Sequence, residues 1–104
     1  MAKNKEKYKE IFRLKDMLEK AKIPFDFSEF FGGYHIIYPV SELRICSVIE
    51  HDRSHGGEQD LLEIKGLLTK NERNHSEILG YSSAEEVFKR IKKNWKRLRR
   101  CLND

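Results

Sequence analysis

Two runs rich in aromatic and β-branched residues, separated by Gly32-Gly33, constrain this chain more than any other feature. The first run ends in Phe27-Ser-Glu-Phe-Phe31, and the second is Tyr34-His-Ile-Ile-Tyr38. Such residues favour strands, and a pair of glycines accepts the positive φ angles of a tight two-residue turn. The pattern therefore predicts a β-hairpin with strands at about 25–31 and 34–38.

Two further stretches extend the predicted sheet. A third strand is expected at about 43–50, where apolar residues fall on both faces. Pro39 cannot donate a ladder hydrogen bond, so we expect it to end the second strand and to begin a turn over 39–42. The run 61–68 fits either a strand or a short helix. Because Gly66 would weaken so short a helix, we favour a fourth strand at about 61–67.

Helical periodicity flanks the predicted strands. An N-terminal helix at about 5–22 is indicated by apolar residues three and four positions apart, and Pro24 is expected to end it. Ser83 and Glu86 have capping-box spacing at the start of a C-terminal helix at about 84–102. Its apolar stripe consists of Ala84, Val87, Phe88, Ile91, Trp95, Leu98 and Leu102. Thr69 and Glu72 have the same spacing and could open a single helical turn.

These elements predict an α+β fold, in which an antiparallel sheet of three to four strands is covered by two helices. At 104 residues the chain is expected to form a single domain over 1–104, with frayed ends at 1–5 and 99–104. No apolar run reaches the roughly 20 residues of a membrane span. Cys46 and Cys101 are far apart in sequence and suggest free thiols, so we expect a cytoplasmic protein.

Charge is unevenly distributed along the chain. Residues 1–22 carry eight basic and four acidic residues, for a net charge of +4. Residues 23–88 carry five basic and twelve acidic residues, for −7, and residues 89–104 carry eight and one, for +7. Basic ends on an acidic body are compatible with a tail that binds polyanions, or with ends that lie on the body itself.

The densest basic stretch lies in the predicted C-terminal helix, and none of the residues 89–100 is acidic. Binding to phosphates requires such a positive field and little else. The candidate nucleic-acid-binding residues are Lys89, Arg90, Lys92, Lys93, Lys96, Arg97, Arg99 and Arg100. The alternatives are a solvated helix face, pairing with the acidic body, or a basic amphipathic helix bound to a membrane or a protein groove.

A polar loop at 51–60 is the second candidate surface. It would present His51, Asp52, Arg53, His55 and Glu58 to a protein partner. Histidines and carboxylates also bind metals, but His51 and His55 match no catalytic zinc pattern, so we predict no metal and no cofactor. Gly56-Gly57 could form a nest of backbone amides that binds an anion, but it lacks the lysine and the flanking strand and helix of a P-loop.

Three further groups contain residue types that functional sites use. Ser54-His55 could suggest a nucleophile and a base, but this pair has no evident orienting group. Cys46 with His35 or His51 is a second such pair, but an inward-facing strand cysteine is more often an inert packing residue. The aromatic residues of the strands could stack on bases, yet no Lys or Arg lies among them between residues 23 and 43, which favours a core role. The aromatic strand residues are Phe25, Phe27, Phe30, Phe31, Tyr34 and Tyr38.

The overall pattern resembles a group of short uncharacterised proteins from phages and prophages of Gram-positive bacteria. The resemblance is carried by Ile23-Pro-Phe-Asp-Phe27, Phe31-Gly-Gly-Tyr34, Cys46-Ser-Val-Ile-Glu-His51, the region Gly57 to Leu68, and Gly80 with Ala84-Glu-Glu-Val-Phe88. It covers most of residues 11–95 and does not include the basic run 96–100. It implies a small accessory protein in the cytoplasm of an infected or lysogenic host cell, and it assigns no chemistry.

The sequence therefore leads to two functional hypotheses and to no predicted enzymatic activity. The first is a protein that binds a host or phage protein through its acidic sheet side or its hairpin loop, for example as a modulator of a host enzyme or defence complex. The second is a protein that binds DNA or RNA through the basic C-terminal helix. The sequence does not define an oligomeric state.

Overall fold

The computed structural model describes residues 8–30, 32–50 and 61–103. In chain order its elements are α1 (Lys9–Lys20), β1 (Asp26–Phe30), β2 (Gly33–Val40), β3 (Leu43–Glu50), β4 (Leu62–Lys65), α2 (Lys70–His75), β5 (Ile78–Ser82) and α3 (Ala84–Asn103). The strands form one antiparallel sheet in the order β1-β2-β3-β4-β5. The predicted α+β class, with an N-terminal and a C-terminal helix, is confirmed.

Both long helices pack on the same face of the sheet. The core side chains of the strands include Tyr34, Ile36, Tyr38, Cys46, Val48, Leu62 and Ile64. They are buried together with Ile11, Leu14 and Leu18 of α1 and with Ala84, Val87 and Ile91 of α3. Burial of this apolar surface is the main driving force for the fold. Because the two helices share one core, the position of α3 depends on both the sheet and α1.

The predicted β1–β2 hairpin is present, but its two glycines differ in role. Phe30 pairs with Gly33, so Gly33 is already a strand residue of β2. Gly32 lies between the strands and has a φ of +81°, whereas Gly33 has no positive φ. The prediction that both glycines take positive φ angles was wrong, because the strand pairing extends one residue further into the glycine pair. Phe31 lies outside the described residues.

Pro39 does not end β2, which was predicted to stop at Tyr38 and instead continues to Val40. The pairing register with β3 shifts between Tyr38 and Pro39. Such an irregularity tolerates a residue that cannot donate to the ladder. The turn is therefore formed by Ser41 and Glu42 rather than by the whole of 39–42.

Within the described residues the sheet has five strands, and not the three to four expected from the sequence. The fourth predicted strand is confirmed as β4, although it is shorter than the expected 61–67. The missed strand, β5, was obscured because Gly80 and Tyr81 interrupt its pattern, and Tyr81 has a φ of +57°. The register between β4 and β5 shifts at this place, which is the geometry of a β-bulge.

The helix boundaries have local causes. The α1 helix ends at Lys20, before the predicted limit, because Lys22 takes a φ of +59° and Ile23 N–H donates to the Leu18 carbonyl at 3.0 Å. This is a Schellman-type ending, which comes two residues before Pro24. The single turn predicted at Thr69 is α2, with a complete capping box to Glu72. The single-domain assignment and the fraying of 99–104 stay predictions.

Gly66 offers a test of the sheet geometry. It has a φ of +98°, and an added Cβ would collide with the Ile45 carbonyl oxygen of β3. Gly32 also has a positive φ, but an added Cβ there would meet nothing within 4 Å. Replacing Gly66 by Ala should therefore lower the free energy of unfolding by about 3 kcal/mol, and Gly32→Ala by about 1 kcal/mol.

Urea unfolding of the two variants and the wild type would measure this difference. The matched glycine at position 32 controls for backbone strain alone. Equal losses in the two variants would show that the backbone of residue 66 does not lie against β3.

Candidate nucleic-acid interface

The C-terminal helix α3 carries the candidate surface, and its apolar stripe fixes which side faces inward. Ala84, Val87 and Ile91 have no exposed surface. Phe88 and Trp95 are partly buried against the same core. Since these residues recur every three or four positions, they occupy one face of the helix. The opposite face is left to the solvent.

A buried carboxylate holds the beginning of α3. Glu10 of α1 is only 9% exposed, and its Oε1 accepts a hydrogen bond from Ala84 N–H at 2.8 Å. The same carboxylate accepts from Arg13, which also pairs with Glu85. A negative group at a helix N-terminus satisfies a free backbone N–H and interacts favourably with the helix dipole. Glu10 therefore attaches α3 to α1.

The basic residues of α3 are almost all exposed. Seven of the eight candidate side chains are exposed, and Arg90 is half-buried. Within the part of the chain that the structure describes, Arg90 is also the one member of the set that forms an ion pair. Lys92 lies over the Phe88 ring, 5.8 Å from its centroid. The acidic residues of the described body therefore leave most of this charge unneutralised.

Four of these cations form a row along the outer side of α3. Lys89, Lys93, Lys96 and Arg100 are separated by four, three and four positions, so they share one face opposite Val87 and Ile91. At 1.5 Å per residue the row is about 16 Å long. We call these four residues the outer row. Such a row presents repeated positive charge to a linear polyanion.

Arg90 has a structural role. Its guanidinium donates to both Glu72 carboxylate oxygens, at 2.8 and 2.7 Å, and to the Leu67 carbonyl at 2.9 Å. The bidentate pair connects α3 to α2 and to the chain that precedes it. Hydrogen bonds from Arg90 are the main reason why the pKa of Glu72 falls to about 2. Arg90 is therefore engaged within the fold and is not available to a ligand.

A groove lies between α3 and residues 67–69. It has a volume of about 510 Å³. On the α3 side it is lined by Glu86, Lys89, Arg90, Lys93, Asn94 and Arg97. Asn94 is fixed there because its Oδ1 accepts from the Tyr38 hydroxyl at 2.7 Å. Burial raises the pKa of that hydroxyl to about 12, so Tyr38 stays a donor at physiological pH. The groove combines the apolar side chains of Leu67 and Leu68 with the exposed cations of α3.

The second candidate surface, His51, Asp52, Arg53, His55 and Glu58, lies outside the described residues. The same holds for Ser54 and for the Gly56-Gly57 pair. In the described remainder of the chain there is no group of three or more His, Cys, Asp or Glu side chains that could hold a metal ion. The loop hypothesis therefore stays a prediction.

The structure agrees with the interpretation of Cys46 as a packing residue rather than as a nucleophile paired with His35. Cys46 is 1% exposed and lies in the core, where burial raises the pKa of its thiol to about 12. His35 belongs to the opposite face of the sheet, and its Nδ1 lies 3.1 Å from the Ser28 hydroxyl. A thiol that stays protonated is a poor nucleophile. The other candidate base, His51, lies outside the described residues.

Four of the aromatic strand residues that the structure describes pack in or against the core, as the core interpretation predicted: Phe25, Phe27, Tyr34 and Tyr38. Phe30 is different, because it lies on the opposite face of the sheet against His35, with ring centroids 4.9 Å apart. Tyr34 stacks on Phe27 with centroids 5.4 Å apart, and Phe12 of α1 contacts both rings. Tyr38 is completely buried. These rings are therefore part of the packing between α1 and the sheet and do not form a platform for bases.

Comparisons with models of protein families, with curated proteins and with solved structures found no match. None of the helices in the described ranges is long and apolar enough to cross a membrane.

The Arg90–Glu72 pair predicts a pH-dependent stability. Replacing Glu72 by Gln keeps a side chain that can complete the capping box, but it removes the ion pair. We expect a loss of about 1–2 kcal/mol in the free energy of unfolding at pH 7, because the pair is partly exposed and partly screened. Since the pKa of Glu72 in the folded protein is lowered to about 2, the pair stabilises the fold above the ordinary carboxyl pKa. The difference between wild type and variant should shrink as the pH falls from about 5 to about 2.

Denaturant unfolding at several pH values would measure this difference. Glu77→Gln, a change of equal charge on an exposed residue nearby, is the control and should have little effect. A difference between Glu72→Gln and wild type that is constant from pH 7 to pH 2 would contradict the ion-pair account.

Proposed function

We propose that this protein acts by binding nucleic acid, without catalysing a reaction, and that the exposed cations of α3 hold the phosphate backbone. The observation that carries the proposal is the outer row, together with Lys92, Arg97 and Arg99. These side chains are exposed and, among the described residues, form no ion pair. A nucleic acid would supply the missing counter-charges.

The physical basis of such binding is the release of counterions. Each phosphate that a Lys or Arg neutralises frees condensed cations from the nucleic acid. The logarithm of the binding constant then falls linearly with the logarithm of the salt concentration, with a slope of about −0.9 per contact on duplex DNA. A row of four cations is sufficient for measurable binding at low salt and for a steep loss as salt increases.

The proposed binding is independent of base sequence. Readout of bases in a groove depends on side chains such as Asn, Gln or Arg that are held in fixed positions against base edges. The exposed side of α3 offers long cations without such fixation, and Asn94 is already bonded to Tyr38. Contacts of this kind position a protein on the backbone but do not select a sequence.

The first hypothesis from the sequence, a host or phage protein as partner, stays a hypothesis, because its candidate loop at 51–60 lies outside the described residues. On the phage resemblance alone, we also propose a cytoplasmic accessory role in an infected or lysogenic host cell. The proposal of nucleic-acid binding does not depend on this origin. It rests on the charge and exposure of α3.

Charge removal on α3 tests the proposal. A triple variant with Lys89, Lys93 and Lys96 replaced by Gln should lower the salt slope for a 20-base-pair duplex by up to about three, near one per lost contact. The matched control replaces three exposed lysines in or directly after α1, Lys9, Lys20 and Lys22, by Gln. Acidic residues are interspersed with these lysines, so we expect a slope change below about one.

Fluorescence anisotropy across a salt series from low to physiological concentration gives the slopes. Thermal melting should be nearly the same for wild type and both variants, since exposed charges contribute little to stability. Absence of binding by the wild type at low salt would contradict the proposed function. Equal slope changes in the two variants would show that only net charge matters.

A further inference from the structure

We propose that the nucleic-acid footprint extends beyond α3, across Leu67 and Leu68, to a second basic groove formed by Arg44, Lys65 and Arg73. This inference rests on the proposed function and adds a surface that the sequence did not indicate. The three cations belong to β3, β4 and α2, and are far apart in the chain. The fold brings them together.

The second groove has a volume of about 670 Å³. Arg44, Lys65 and Arg73 line it, and all three are exposed. Lys65 is paired in register with Ser47, which also lines the groove. In the described parts of the chain none of the three cations has an ion pair, and Glu77 is the one acidic residue among those that line the groove. Its net charge is therefore positive.

The two grooves are adjacent. Leu67 and Leu68 line both of them, so one groove lies on each side of this short segment. The segment is attached to α3, because the Leu67 carbonyl accepts a hydrogen bond from Arg90 at 2.9 Å. We call Leu67 and Leu68, which line both positive grooves, the ridge.

This arrangement suits a polymeric anion better than a small one. A single phosphate would occupy one groove and gain nothing from the cations beyond the ridge. A nucleic-acid backbone carries a phosphate every 3.4 Å along each strand, so one strand can contact cations on both sides at once. Linked contacts of this type raise affinity through effective concentration. The shared ligand chemistry is the phosphodiester backbone of DNA or RNA.

The ridge itself contributes shape. Its apolar side chains are half-buried and line both grooves together with the cations. Apolar contact with sugars, flanked by charge contacts to phosphates, would orient the strand across the ridge. The footprint would then combine the outer row, the first groove and the second groove into one track.

The test is a second triple variant, in which Arg44, Lys65 and Arg73 are replaced by Gln. For a 20-base-pair DNA duplex, we expect the salt slope to fall by two to three and the affinity at low salt to fall at least tenfold. The lysine variant of α1 serves again as the control for net charge. Melting temperatures of the two variants and the wild type should agree within a few degrees.

The outcomes separate this inference from the proposed function. If the wild type binds the duplex and the α3 variant lowers the slope, but the second-groove variant keeps the wild-type slope, the extended footprint is wrong and the proposed function stands. If the wild type does not bind at all, both are wrong. Single-stranded DNA and duplex RNA of the same length, measured in parallel, distinguish the sources of the phosphodiester backbone.

Poly-glutamate of equal charge is the remaining probe. We expect it to bind more weakly than any of the nucleic acids, because carboxylates offer fewer acceptor oxygens than phosphates. Equal or tighter binding of poly-glutamate that depends on Arg44, Lys65 and Arg73 would overturn the inference in favour of an acidic protein segment.

Discussion

Two buried carboxylates join the layers of this fold, and the position of α3 depends on them. Glu50, at the end of β3, has no exposed surface, and its Oε1 accepts from Ile11 N–H at 3.0 Å. Glu10, one residue earlier in α1, accepts from Ala84 N–H of α3. The sheet thus holds the beginning of α1, and α1 holds the beginning of α3. Buried charges are costly unless hydrogen-bonded, and the free N–H groups and dipoles of the helix N-termini offset that cost.

The arrangement of the helices separates negative from positive charge, and this separation bears on function. Glu10, Glu50 and Glu72 are used inside the fold, as caps or as the partner of Arg90. The cations of α3 are left on the outside, since the stripe of Ala84, Val87 and Ile91 faces the core and leaves the opposite face to the solvent. The charge segregation seen in the sequence is therefore not neutralised when the chain folds. A surface with this property is suited to a polyanionic ligand.

The sequence predicts the elements with strong periodicity and misses those that depend on tertiary contacts. The bounds of β3 and the length of α3 follow from apolar patterns, and both agree with the structure. The strand β5 was missed because a left-handed Tyr81 and a bulge break its alternation. One feature of the sequence indicates that Glu50 is buried, because Glu50 alternates with Cys46 and Val48 on the same face of β3. The second groove left none, because Arg44, Lys65 and Arg73 meet only in the folded chain.

The most direct test of the central claim, that the outer side of α3 is a binding surface for nucleic acid, is an NMR titration of the labelled protein with a short duplex. Chemical-shift changes should be largest for backbone and side-chain signals of residues 89–100, with weaker changes at 65–73, and they should reverse when salt is added. Signals of Lys9–Lys20 should stay unchanged. Changes concentrated at 51–60 or on α1, with α3 unaffected, would contradict the account.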